Sequence, residues 1–236
     1  MTAIGSTIGV LATANVLAHR VVPRAAAAVA GGKVAGLAVI ARGAGLTTAE
    51  LGLDRHRWAS GGRWGAGAAG LVAAGYAVVL AVPTTRAAIP GSGTPWCRAA
   101  FRATVVIPLT TVLPEEFAFR GVLPALLTRR FGARPAGILT AGLFGLWHVL
   151  PGLAGGGAAN DAVTGVLGAD RRAAVVRVGG TVLVTTGGGL VLGEVRRRSG
   201  SLLAPILLHW AINGLGELIA GRPGTAQPSR PNRPSP

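Results

Sequence analysis

Seven apolar runs, each near the length of a membrane crossing and each closed off by Arg, Gly or Pro, constrain this chain more than any other feature. A helix needs roughly 20 apolar residues to cross the hydrocarbon core of a bilayer, and only helices or closed barrels satisfy their own backbone polar groups there. The runs are 3–18, 25–41 (interrupted by Lys33), 64–83, 101–128, 135–150, 173–193 (interrupted by Arg177) and 202–220. They predict an all-α fold, a polytopic transmembrane helical bundle of about seven spans, with room for six to eight in 236 residues. Charge agrees with that reading: 13% of residues are charged, against about a quarter in soluble domains.

The formal charge of +15 does not indicate nucleic acid. Nucleic-acid binders carry basic residues as a stripe on a soluble fold, whereas here they stand between apolar runs, as loop charges of membrane proteins do. Of the 23 basic residues only Lys33 is lysine. With seven spans the loop arginines divide ten to each side, Arg120 and Arg177 lying inside spans, so the arginine asymmetry assigns no orientation. The single Cys97 excludes an intrachain disulfide and a multi-cysteine metal site. Residues 3–18 lack a preceding basic segment and read as a first span or interfacial segment, not as a cleaved leader.

Three regions follow. Residues 1–95 hold apolar helices and a polar stretch, Glu50 to Arg63, predicted as a loop or short surface helix; they add no chemistry of their own. Residues 96–220 hold every ionisable motif. Residues 221–236, rich in Pro and Arg, cannot bury a core and are expected to be disordered. A Gly-rich loop is expected from Gly152 to Arg172, carrying Asn160, Asp161 and Asp170. Gly187-Gly188-Gly189 lacks the Lys-Ser/Thr of a phosphate loop and reads as close helix packing.

Ionisable residues inside a span cost at least a few kcal/mol to insert and are functional candidates for that reason. Three clusters meet this test: Pro114-Glu115-Glu116 through Arg120-Gly121, Phe144 through Trp147-His148, and His209-Trp210 through Asn213. Glu116 and Arg120 are four apart and share a helix face, which allows an ion pair within one turn. Glu115 points about 100° away and has no such local partner. His148 stacks over Phe144, and Asn213 over His209. One carboxylate, two imidazoles and an amide facing each other suffice to activate water and hold an oxyanion. Pro108, Pro114 and Pro205 suggest distorted helix near the site. Trp147 and Trp210 fit an interfacial belt or a substrate groove equally, and His19 and His56 read as surface residues.

At these residues the chain resembles the CPBP family of intramembrane proteases, which includes the CAAX prenyl endopeptidases and bacterial immunity-type (Abi) relatives. The family pattern E-E-x-x-x-R, F-x-x-x-H and H-x-x-x-N/D, on three successive motif helices, is matched by Glu115-Glu116-x-x-x-Arg120, Phe144-x-x-x-His148 and His209-x-x-x-Asn213, within residues 96–220. The resemblance implies that Glu115 is the general base, assisted by His148, that His209 and Asn213 stabilise the oxyanion, and that Glu116 and Arg120 form a structural ion pair. A rival reading of the family places a divalent metal, zinc, among Glu115, His148 and His209. One Glu and two His form a sufficient zinc set, although no H-E-x-x-H helix is present.

The expected activity is therefore intramembrane endopeptidase hydrolysis of a membrane-associated peptide or protein, with membrane lipid as surroundings and a multi-pass location, bacterial by composition. Prenylated substrates are not implied by a bacterial composition. A non-catalytic scaffold or immunity-type protein is the alternative, and an ion- or proton-coupled transporter is a further one, disfavoured by the lack of an internal repeat of broken helices.

Overall fold

The computed structural model of the chain describes residues 2–87, 91–154 and 171–222. Seven of its helices are long and apolar enough to cross a membrane: α1 Thr2–Val21, α2 Pro23–Gly43, α3 Thr48–Ala81, α4 Trp96–Phe131, α5 Ala133–Leu153, α6 Ala174–Ser199 and α7 Leu203–Ala220. Successive helices cross in opposite directions. The α2–α3, α4–α5 and α6–α7 connections therefore share one end of the bundle, and the α1–α2 turn lies at the other.

Several boundaries exceed the apolar runs, each for a visible reason. The helix holding α6 runs Arg171–Ser199 because Glu194 pairs with Arg197 and Arg198, both at 2.6 Å, and these one-turn pairs carry the helix past its apolar stretch. Within α3 the crossing helix begins at Trp58, after a short helix Thr48–Leu51 that is started by a capping box between Thr47 and Glu50. The Gly-rich loop is shorter than expected, since Val149–Ala154 is helical. Asn160, Asp161 and Asp170, and residues 223–236 of the tail, lie outside the described residues.

Small residues set the helix spacing, as expected where lipid removes the hydrophobic drive for association. A Cβ at Gly65 of α3 would stand 3.1 Å from the Ala204 backbone and 2.9 Å from Leu207 Cβ of α7. Gly189 of α6 lies as closely on Ala141 of α5, at 3.1 Å, so the close-packing reading holds for this glycine, while Gly187 and Gly188 have no neighbour within 4 Å. Leu37, Val112, Val122 and Leu123 are fully buried in the core between α1, α2, α4 and α5. Leu71, Leu183 and Val39 are more than 70% exposed and give the bundle an apolar exterior. At the α2–α3 end Arg129 bonds Glu50 at 2.6 Å together with the carbonyls of Ala44 and Gly45, which ties α4 to the α2–α3 connection.

The helix that carries the two glutamates is irregular. Wide, π-type turns occupy Arg102–Val106, Pro108–Val112 and Phe117–Val122, with one regular turn, Leu113–Glu116, between the last two. Pro108 and Pro114 cannot donate to the preceding turn, and wide turns recur at functional sites. Pro205 behaves differently from expectation. It lies in the first turn of α7, where a missing N–H leaves nothing unsatisfied, and it bends nothing.

Candidate active site

Because Glu115 and Glu116 are adjacent, they leave α4 about 100° apart and serve different neighbours. Glu115 turns to α5. Its Oε1 accepts from the Trp147 indole N–H at 3.1 Å, and its Oε2 is buried without a partner among the described residues. Glu116 turns to α7 and is fully buried. Its Oε1 receives Arg120 Nη1 at 3.0 Å and His209 Nδ1 at 2.7 Å. His209 Nε2 lies 3.1 Å from Asn213 Nδ2. The second glutamate is therefore the hub of a buried Arg120–Glu116–His209–Asn213 network, and more than half of an ion pair.

Hydrogen-bond chemistry fixes the tautomers of both histidines. His148 Nδ1 is 2.8 Å from the Phe144 carbonyl, which only accepts, so Nδ1 carries a proton and the neutral ring has its lone pair on Nε2. His209 Nδ1 faces a carboxylate, which likewise only accepts when ionised, so in the neutral ring Nε2 accepts a hydrogen bond from the Asn213 amide N–H. Phe144 joins the two imidazoles. Its ring meets His148 edge-on at 4.7 Å and His209 at 6.2 Å, and the Arg120 guanidinium lies over it at 4.1 Å.

Sequence reasoning missed the residues that complete the site from α1 and α2. Glu115 and His148 line a cavity of about 300 Å³ whose other walls include His19, Ala30, Lys33 and Thr111. His19, read as a surface residue, is half-buried there. Lys33 is 5% exposed, with Nζ 4.5 Å from the centre of the Trp147 ring. Trp147 lines the cavity shared by Glu115 and His148. It is 8% exposed and orients Glu115. Trp210 is also structural, its indole N–H bonding the Ala103 carbonyl at 2.9 Å.

One signal in the sequence points to this wall. Pro151 stands four residues after Trp147 and cannot supply the N–H that the Trp147 carbonyl would receive in a continuous helix. Asn15 of α1 supplies it instead, with Nδ2 3.0 Å from that carbonyl. The regular helix ends at Trp147, leaving His148 at the break with φ −85° and ψ 1°.

Among the described residues no three His, Cys, Asp or Glu side chains converge as ligands, and both His209 nitrogens are engaged by Glu116 and Asn213.

A family model for the type II CAAX prenyl endopeptidase Rce1-like proteins matches residues 98–215, half of the chain and all three motifs. The chain belongs to the Rce1-like family. No curated protein and no solved structure matches it. Membership in the Rce1-like family, together with seven spanning helices, identifies an integral, multi-pass membrane protein of an intramembrane CAAX-type protease family. The Rce1-like match begins at Arg98, so the helices that give the cavity its Lys33 wall lie outside it.

Proposed function

We propose that this chain hydrolyses a peptide bond of a membrane-associated substrate with a water molecule activated by Glu115 and His148. The observation that carries the reading is the cavity shared by these two side chains, with one Glu115 oxygen buried and unpartnered beside an imidazole whose Nε2 lone pair is free to accept. Water entering this cavity donates one hydrogen bond to each. As its oxygen attacks the scissile carbonyl carbon, Glu115 takes its proton and the carbonyl π electrons move to oxygen. The proton then passes to the departing amine, the C–N bond breaks, and acid and amine products form without a covalent enzyme intermediate.

Developing negative charge on the carbonyl oxygen needs a donor held in place beforehand. Asn213 is assigned that role. Its amide is oriented by His209, which is fixed in turn by Glu116 and Arg120. Lys33 lines the same cavity wall as Glu115. The substrate class supported by a membrane-buried cavity is a peptide segment delivered from the bilayer or its surface. The cellular setting we assign is a bacterial cell membrane.

The test is cleavage of membrane-anchored fluorogenic peptides by protein in nanodiscs, with and without chelator. Glu115→Gln is expected to lower kcat about 10²- to 10⁴-fold, the usual contribution of general base catalysis, while its thermal unfolding matches wild type. A folded Glu115→Gln variant with wild-type turnover overturns the mechanism, and chelator-sensitive turnover overturns its metal-free form.

A further inference from the structure

A second cavity, of about 910 Å³, lies at the opposite end of the bundle between α4, α5 and α6. Its inner end holds Arg120 and Thr140, which are 2% and 5% exposed. Arg120 Nη1 is engaged by Glu116, but its Nη2 has no partner, and neither does the Thr140 hydroxyl. Two buried donors thus face one hollow unsatisfied, a costly condition in a molecule whose surroundings are lipid.

The mouth carries charge of one sign to spare. Arg129 is met by Glu50 and Arg197 by Glu194, which accounts for both carboxylates in the lining. Arg134 and Arg196 have no carboxylate among the described residues. Arg196 gives Nη2 to the Glu50 carbonyl at 3.1 Å and keeps Nε buried and unpartnered. Gly132, at φ +83°, turns the chain into α5 with no side-chain cap, leaving first-turn amides at the same mouth. The Arg134 and Arg196 guanidinium groups, which have no opposing carboxylate among the described residues, with the free Nη2 of Arg120 and the Thr140 hydroxyl behind them, are the complement of a phosphate group.

The walls decide what carries that phosphate. Ile138 and Leu190 line the cavity yet are 66% and 49% exposed, forming an apolar lip on the outer face of α5 and α6. A soluble phosphate has no use for such a lip, whereas an acyl chain does. We propose that this cavity binds one anionic phospholipid, its phosphate between Arg134, Arg196 and the Arg120–Thr140 end and its chains along Ile138 and Leu190. The site is separate from the proposed hydrolytic cavity and stands whether or not that reading does.

The experiment is native mass spectrometry of the full-length chain in detergent, titrated with phosphatidylglycerol, with phosphatidylcholine of the same acyl chains, and with inorganic phosphate. Wild type is expected to retain one phosphatidylglycerol at concentrations where phosphatidylcholine does not bind. Arg134→Gln, which removes one charge, is expected to weaken retention about five-fold. Gly193→Leu fills the cavity from a position where an added Cβ has no neighbour within 4 Å, keeps the helix, and is expected to abolish retention. Equal binding of the two lipids, unchanged retention by Gly193→Leu, or displacement of the lipid by millimolar inorganic phosphate overturns the proposal.

Discussion

Trp147 shows how much a single side chain settles here. Its indole N–H fixes Glu115, its ring carries Lys33, and its carbonyl is held by Asn15. Trp147→Phe keeps most of the ring packing and removes only the bond to Glu115. It is expected to lower kcat about ten-fold with little change in KM, since the lost bond is one charge-assisted contact of the order of 1.5–3 kcal/mol. Steady-state kinetics on the anchored peptide reads this, and a change confined to KM would place Trp147 in substrate binding instead. Arg120→Met tests the other network. It leaves Glu116 buried with only His209 beside it and is expected to destabilise the fold by about 3–5 kcal/mol, seen as a lowered Tm. The motif residues themselves were legible because a charge in an apolar run stands out. Lys33 stood out equally, as an interruption of the second run, but its partner lies on another helix, and Trp147 reaches Glu115 across 32 residues of chain. No local spacing encodes such pairings.

At the scale of elements, the seven runs were readable because hydrocarbon imposes a length and a composition on anything that crosses it. Helix ends were less readable, since Glu194 with its two arginines and the Thr47 cap are local polar devices that act outside the apolar signal. The distortion of α4 followed from Pro108 and Pro114, while the same reasoning misread Pro205, which stands in the first turn of α7, where no earlier helical carbonyl awaits its missing N–H. Helix contacts rest on missing side chains, which sequence shows only as abundant glycine. Gly65→Leu is expected to separate α3 from α7, breaking the Tyr76 hydroxyl bond to the Ile212 carbonyl, 2.9 Å long. The outcome to look for is a Tm lowered by several degrees, in line with about 1–3 kcal/mol of overpacking, together with loss of turnover. Gly187→Leu, in open space, serves as the unaffected control.

For the whole molecule, the motifs occupy three helices, α4, α5 and α7, while the cavity beside Glu115 takes its walls from α1, α2, α4 and α5. A chain beginning after Gly43 retains Glu115, His148, His209 and Asn213 yet lacks Asn15, His19 and Lys33, and so opens Glu115 to the surroundings on one side. Such a truncation is expected to be inactive in the peptide assay, and co-expression of residues 1–43 as a separate piece is expected to restore part of the activity. Normal turnover by the truncated chain would show that the first two helices are dispensable. Two hollows enter this bundle from opposite ends. Between them stand Phe119, Phe144 and Trp147, stacked edge-to-face at 5.2 and 5.8 Å. A cell that stores energy as a proton gradient cannot tolerate a continuous thread of water through its membrane. These three rings stand between the two hollows, so that water admitted to the hydrolytic cavity we propose meets packed aromatic side chains before it meets the other.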